Sequence, residues 1–205
     1  MLRQRVITAL IIVGAFVAVL VLAPFPVQAL LFALIAFAGA WEWSALAGCQ
    51  SVLARAAYAV VVPVLSFGLW VLVTAGNIEL AAAVQPWLAG AAMLWSATLL
   101  ALKSYPAGEW LWGRGWIRGL MGWLMLTMTW GAVAFCLTLT NGPLMVFLMM
   151  LTVATADIGA YFAGKQLGRH ALALAISPSK TWEGFWGGMV CVAALVFIVW
   201  RNLPP

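Results

Sequence analysis

The sequence predicts an all-α protein, a polytopic transmembrane bundle of about seven helices with a cytoplasmic N-terminus. Hydrophobic residues make up 66% of the 205 residues and charged residues only 7%, whereas a soluble domain is roughly half apolar. The apolar residues come in long runs, and the basic residues gather in alternate breaks between those runs. Helices satisfy their own backbone polar groups inside a bilayer, so apolar runs of this length are expected to be helical.

Seven apolar runs approach the length of about 20 residues that a transmembrane helix needs. Turn-forming residues separate them, among them Pro24, Pro26 and the run Asn141-Gly142-Pro143. Residues 1–205 are therefore predicted to form a single integral membrane domain. The runs lie at about residues 6–23, 27–47, 56–75, 81–102, 119–139, 143–164 and 184–200.

The basic residues predict the orientation of the helices. With the N-terminus inside, nine of the ten Lys and Arg residues fall on the cytoplasmic side, and Arg201 falls outside. Cytoplasmic loops of membrane proteins collect Lys and Arg in this way. The nine are Arg3, Arg5, Arg55, Lys103, Arg114, Arg118, Lys165, Arg169 and Lys180.

The net charge of +5 would suggest nucleic acid as a partner of a soluble protein. In a chain this apolar, the same charge is typical of cytoplasmic loops, so no nucleic-acid partner is expected. Cys49, Cys136 and Cys191 lie far apart and form no CxxC motif, which gives no support to a zinc site or a disulfide framework.

Several of the thirteen Trp residues fall near predicted helix ends, which is typical of anchoring at a membrane interface. Segment 103–118 mixes basic and aromatic residues and is predicted to lie along the lipid headgroups. The Trp residues near helix ends include Trp41, Trp43, Trp110, Trp112, Trp116 and Trp182.

Polar chemistry concentrates in residues 155–188, which begin in the sixth predicted helix. Asp157, Tyr161, Lys165 and Arg169 recur every four residues and therefore share one face of that helix. At a rise of about 1.5 Å per residue, Asp157 lies about 12 Å deeper in the membrane than Lys165. A carboxylate at that depth is costly without a partner, which favours a functional role. A structural pair of Asp157 with Lys165 or Tyr161 is the alternative.

The neighbouring face of the same helix carries only small residues. Such a small-xxx-small face lets another helix approach closely. One side of this helix is therefore predicted to pack tightly, while the next side offers an acid, a phenol and two cations. The small residues are Ala156, Ala160, Gly164 and Gly168.

The chain then forms a cytoplasmic polar loop over residues 165–183. Ser177 followed by Pro178 fits the N-cap and first position of a helix. A helix start presents free N–H groups and suits phosphate, and Ser179, Lys180 and Thr181 add hydroxyl donors and a charge. The sequence therefore predicts a phosphate-binding helix start near Ser177.

Four other residues have two open interpretations each. Glu183 either stabilises the first turn of the last helix or serves as a metal ligand or a base, and Gly184 either packs helices or admits a ligand. His170 is a loop residue near phosphate or a general acid–base group. Glu42, at the cytoplasmic end of the second helix, either lines the same site or extends into water.

The motif D-I-G-A-Y-F-A-G-K-x-x-G-R-H, followed by I-S-P-S-K-T-W-E-G-F-x-G-G, closely resembles the phosphatidate cytidylyltransferases. The segments M-L-R-Q-R-V-I-T-A-L and W-E-W-S-A-L-A-G are also similar to that family. The resemblance implies a reaction of CTP with phosphatidic acid that gives CDP-diacylglycerol and pyrophosphate. It also implies dependence on Mg²⁺ and a place in the cell inner (plasma) membrane.

The resemblance implies roles for individual residues of the motif. Asp157 and Lys180 become the catalytic residues, and Asp157 and Glu183 the metal ligands. The remaining residues of the set bind substrate. They are Tyr161, Lys165, Arg169, His170, Ser177, Ser179, Thr181 and Gly184.

The chain departs from the resembled family at its end. Family members continue with further membrane helices and a signature of a Lys-Asp pair and a Pro-Gly-His-Gly-Gly…Asp-Arg-x-Asp run. The acidic residues of that signature hold the metals, whereas this sequence ends at Leu203-Pro204-Pro205. We therefore expect a truncated enzyme with little or no turnover alone, complemented by a homodimer partner or a separate C-terminal chain. The alternatives are a non-catalytic membrane fragment that binds lipid or a partner, a related CTP-dependent lipid kinase, and a transporter.

Overall fold

A computed structural model describes residues 2–75 and 80–202. Within these residues the chain forms seven long helices, one four-residue helix and a two-stranded hairpin. Each predicted apolar run coincides with one long helix, which confirms the all-α membrane fold. The elements are α1 Leu2–Leu22, α2 Phe25–Leu46, α3 Val52–Ala75, α4 Leu80–Lys103, α5 Glu109–Trp112, α6 Gly115–Thr138, α7 Gly142–Leu167, β1 Ala171–Ala173, β2 Ser177–Thr181 and α8 Trp182–Asn202.

Five of the described helices are long and apolar enough to cross a membrane. A further apolar helical stretch, Leu10–Leu22, is shorter. Together they identify a polytopic membrane protein. The predicted cytoplasmic position of the N-terminus stays a prediction, and the ending Leu203-Pro204-Pro205 lies outside the described residues. The five spans are Phe25–Leu46, Val52–Leu72, Gly115–Thr138, Gly142–Leu167 and Trp182–Asn202.

The chain divides into two compact units, Met1–Leu144 and Met145–Pro205. We call them the N-terminal unit and the C-terminal unit. The prediction of a single integral membrane domain over residues 1–205 stays a prediction. All residues of the predicted site lie in the C-terminal unit, whereas Glu42 is exposed on α2 in the N-terminal unit.

The core of the N-terminal unit lies where α2, α3 and α6 meet. Alanine dominates it, so helix backbones approach closely there. Two aromatic residues fill the remaining space, and Tyr58 stacks on Trp123 with ring centroids 5.0 Å apart. The buried core residues are Ala36, Ala40, Tyr58, Ala59, Val62, Trp130 and Ala134.

Side-chain donors also join the helices of this unit. Four Trp indoles donate to backbone carbonyls of neighbouring helices at 2.8 to 3.3 Å. The interpretation of Trp43 as an interfacial anchor misses this internal partner. The bonds join Trp43 to Arg118, Trp87 to Met128, Trp123 to Tyr58, and Trp130 to Ala29.

Two further side chains reinforce the contacts of α3. The buried Tyr58 hydroxyl donates to the Gly119 carbonyl of α6 at 2.7 Å. Arg55 Nε donates to Ser44 Oγ at 2.9 Å, and Arg55 Nη2 donates to the Trp41 carbonyl at 3.0 Å. A cation at the last turns of α2 also complements the negative end of that helix.

In the C-terminal unit, α7 and α8 are joined by the hairpin of β1 and β2. The strands are antiparallel, and Ala171 pairs with Thr181 and Ala173 with Ser177. The predicted helix start at Ser177 is wrong, because Ser177–Thr181 is a strand and α8 begins at Trp182. A two-stranded hairpin has only edge strands, where proline is tolerated, so Pro178 fits β2 as well as it fits a helix start.

Candidate functional site

The small-residue face of α7 packs directly against α8. A Cβ atom added at Gly184 would lie 2.9 Å from the Ala160 carbonyl oxygen, and one added at Gly188 would lie 2.8 Å from that of Ala156. A Cβ atom at Gly187 would clash with the Ala163 side chain. The predicted close approach of a helix to this face is therefore confirmed.

The same packing fixes which ends of the two helices meet. A Cβ atom added at Gly164 would lie 3.1 Å from Thr181 Oγ1. Lys165 and Lys180 each adjoin one of these two residues along the chain. The two lysines therefore lie at the same end of the C-terminal unit, as the predicted phosphate site requires.

The polar face of α7 is exposed. Asp157 and Lys165 are exposed on α7, and 60% of Tyr161 is accessible. Arg169 is also exposed, but it lies beyond the end of α7 at Leu167, so the predicted extension of this helix face to Arg169 is wrong. Lys165 Nζ lies 5.7 Å from the centroid of the Tyr161 ring, within the range of a cation–π contact. Within the described residues the Asp157 carboxylate forms neither an ion pair nor a hydrogen bond, so the alternative of a structural pair is not observed.

Glu183 binds the chain that follows α7. Its Oε2 accepts hydrogen bonds from the backbone N–H groups of Arg169 at 3.1 Å and His170 at 3.3 Å. Its Oε1 lies 2.6 Å from His170 Nδ1. An ionised carboxylate can only accept hydrogen bonds, so Nδ1 carries the proton in this pair. Both oxygens of Glu183 are thus occupied by protein donors.

Thr181 caps α8. Its Oγ1 accepts a hydrogen bond from the Gly184 N–H at 3.1 Å, as an N-cap residue does. Gly184 itself is buried against α7. The structure thus gives Thr181 and Gly184 clear structural roles, and their predicted contacts with substrate stay predictions.

The hairpin brings the remaining polar residues to the same end. His170 precedes Ala171, whose partner across the hairpin is Thr181, the residue after Lys180. Two chain steps of about 3.8 Å and one strand pair of about 5.5 Å place the Cα atoms of His170 and Lys180 within about 13 Å. Ser179 and Lys180 are exposed on β2, and Ser177 is half-buried.

The structure does not bring the two predicted metal ligands together. Asp157 lies ten residues before the end of α7 at Leu167, about 15 Å along the helix axis, while Glu183 binds the chain beyond that end. No three His, Cys, Asp or Glu side chains of the described residues form a group that could hold a metal. These residues alone do not fit a Mg²⁺ ion, which requires near-octahedral oxygen ligands at about 2.0–2.1 Å.

Comparison with known proteins identifies the family. Residues 3–205 match the model of the cytidylyltransferase family. The chain belongs to that family. The predicted resemblance and the predicted enzyme class, a nucleotidyltransferase, are thereby confirmed. The cytidylyltransferase match covers both units of the chain.

Individual relatives extend this match. The chain is 36% identical over 196 residues to a phosphatidate cytidylyltransferase of Pseudomonas aeruginosa, which covers 92% of this chain and 67% of that protein. A phosphatidate cytidylyltransferase of Haemophilus influenzae is 32% identical over 211 residues, covering 97% of this chain and 72% of that protein. A shorter match to that of Mycobacterium bovis is 47% identical over 51 residues, or 25% of this chain and 17% of that protein. No solved structure matches the chain.

Proposed function

We propose that the protein is a phosphatidate cytidylyltransferase of the inner membrane, which converts CTP and phosphatidic acid to CDP-diacylglycerol and pyrophosphate. The observation that carries this proposal is the 36% identity to the Pseudomonas aeruginosa enzyme over 92% of the chain. The exposed cations at one end of the C-terminal unit support it, because both substrates carry phosphate.

In the proposed reaction, a phosphate oxygen of phosphatidic acid attacks the α-phosphorus of CTP, and pyrophosphate leaves. Lys165, Arg169 and Lys180 would hold the phosphate groups of the two substrates. The planar Arg169 guanidinium suits bidentate binding of phosphate, and the two lysines act as point charges. Fixed positive charge lowers the cost of bringing two polyanions together and of the charge that develops on the leaving pyrophosphate.

Asp157 is proposed to position a water molecule or a metal ion on the exposed face of α7. When bound, Mg²⁺ would neutralise phosphate charge, but the described donors do not complete its coordination. We therefore propose that the further ligands of the ion come from outside these residues.

The test is an assay with radiolabelled CTP and phosphatidic acid on membranes that contain the protein. Formation of labelled CDP-diacylglycerol, together with release of pyrophosphate, is expected once Mg²⁺ and its further ligands are supplied, and little or no product is expected from residues 1–205 alone. The product must be absent from membranes that lack the protein. Growth of a bacterial strain depleted of its own enzyme provides a second readout of the same activity.

Other products would select an alternative function. Transfer of the terminal phosphate of CTP to a lipid would indicate a CTP-dependent lipid kinase. Binding of phosphatidic acid without any product from CTP would indicate a non-catalytic lipid-binding protein. Either result overturns the proposed cytidylyltransferase activity.

A further inference from the structure

One carboxylate closes the base of the hairpin between α7 and α8. Glu183 accepts hydrogen bonds from two consecutive backbone N–H groups, those of Arg169 and His170, and also contacts the His170 ring. The Trp182 N–H donates to the His170 carbonyl at 2.9 Å. These bonds begin where the strand ladder ends, so they tie the hairpin to both helices.

The same carboxylate leaves the neighbouring cations unneutralised. Among the described residues, the side chain that contacts the Glu183 carboxylate is that of His170. The side chains of Arg169 and Lys180 are exposed and have no carboxylate partner within the described part of the chain. Glu183 thus orders the loop through its backbone while the cations stay available to an anion.

Backbone binding also sets the direction of Arg169. Its N–H group is held by Glu183, whereas its side chain is exposed. A fixed backbone restricts the space that the guanidinium can reach, which lowers the entropy lost when it binds phosphate. Lys180 is held differently, by its place in β2 directly before Thr181, which pairs with Ala171.

We propose that Glu183 is a positioning residue. Through His170 and the backbone of Arg169, it holds the hairpin so that Arg169 and Lys180 bind one phosphate-bearing substrate. This inference rests on the proposed function for the identity of that substrate. Glu183 acts through the hairpin, touching neither the substrate nor a metal ion.

Three variants separate the contacts of Glu183. Glu183→Ala removes the charge and all acceptors. Glu183→Gln removes the charge but keeps an acceptor for the two backbone N–H groups, and His170→Ala removes only the ring contact. The matched control is Glu109→Ala, because Glu109 is an exposed acid in the first turn of α5 in the other unit.

Hydrogen exchange of the purified protein in phosphatidylcholine nanodiscs measures the order of the hairpin. We expect Glu183→Ala to lose amide protection over residues 168–182, while peptides from the middle of α7 keep theirs. The amide protection of the hairpin in Glu183→Gln and in His170→Ala should be intermediate between that in Glu183→Ala and that in the wild type. Unchanged protection in Glu183→Ala would overturn the inference.

Calorimetric titration with inorganic pyrophosphate in metal-free buffer measures how the loss of hairpin order changes the affinity for a phosphate-bearing anion. Removing a negative charge near the site should by itself tighten the binding of an anion. We expect the opposite, a loss of affinity of about tenfold or more in Glu183→Ala, since one charge-assisted contact is worth about 1.5–3 kcal/mol. Glu183→Gln should lose less, and Glu109→Ala should bind as the wild type does.

The outcomes separate this inference from the proposed function. Wild-type protein that binds no pyrophosphate, or Glu183→Ala that binds it equally well or more tightly, overturns the positioning role. Equal losses of affinity in Glu183→Gln and Glu183→Ala, with the hairpin still protected in Glu183→Gln, overturn it as well. If the binding results hold but no CDP-diacylglycerol forms, the proposed function fails and the positioning role stands.

Discussion

The two units of the molecule hold their helices together by different means. In the N-terminal unit, polar side chains join the helices, as the Trp indoles and the Tyr58 hydroxyl donate to carbonyls of neighbouring helices. In the C-terminal unit, α7 and α8 meet through glycine and alanine with almost no side chain between them. In the first unit these polar side chains hold helices together, whereas in the second unit the side chains of Asp157, Lys165 and Lys180 are exposed and available to bind a ligand.

The largest expected effect concerns those exposed groups. Lys180→Ala should lower the rate of CDP-diacylglycerol formation about a hundredfold, the loss typical when one charge-stabilising donor is removed. The measurement is the radiolabelled CTP assay, with Lys103→Ala at the end of α4 as the control. Near-normal turnover of Lys180→Ala would remove the hairpin cations from the mechanism.

A smaller effect is expected from filling the contact between α7 and α8. Gly187→Ala should destabilise the protein by about 1–3 kcal/mol, because the new methyl group overpacks against Ala163. Gly68→Ala is the matched control, since no atom lies within 4 Å of the position of its Cβ. Thermal unfolding in detergent compares the two. Equal stability of both variants would show that close backbone contact does not hold the C-terminal unit together.

The smallest effect separates the two tyrosines. Tyr58→Phe should lower the free energy of unfolding by about 1 kcal/mol, because it removes a buried hydrogen bond to Gly119. Tyr161→Phe should leave stability unchanged, since its exposed hydroxyl has no hydrogen-bond partner within the described chain. The same unfolding assay measures both. A larger loss of unfolding free energy for Tyr161→Phe than for Tyr58→Phe would show that the polar side chains of the C-terminal unit also hold it together.

The helices and the contact face of α7 could be predicted from sequence. Apolar runs of membrane length leave the backbone few alternatives to a helix. The spacing of Ala156, Ala160 and Gly164 fixed which face of α7 is small, and α8 packs there. The position of Lys165 and Lys180 at the same end could also be predicted, because both residues flank the short connection between two successive helices.

The hairpin could not be predicted from local sequence. Ser177-Pro178 is typical of a helix start, but pairing with Ala171–Ala173 makes it a strand, and that pairing depends on residues several positions away. The role of Glu183 was missed for the same reason. Its charge suits the first turn of a helix, yet its partners, Arg169 and His170, are thirteen or fourteen residues away in sequence.

The partners of the Trp indoles could not be predicted from sequence either. An indole near a helix end indicates an interface on average, and the sequence alone does not show which carbonyl lies within reach. Trp43 finds that of Arg118, 75 residues further along the chain. A Trp at a predicted helix end therefore needs its neighbours before its role can be assigned.

The contact between α7 and α8 limits how the C-terminal unit can move. Backbone atoms of α7 lie in the gaps left by the α8 glycines Gly184, Gly187 and Gly188, and backbone atoms of α8 lie beside Gly159 and Gly164 of α7. Rotation of either helix, or a slide shorter than the four-residue repeat of about 6 Å, would drive carbonyl oxygens into one another. We therefore expect α7 and α8 to move together as one rigid body in any rearrangement that substrate binding causes.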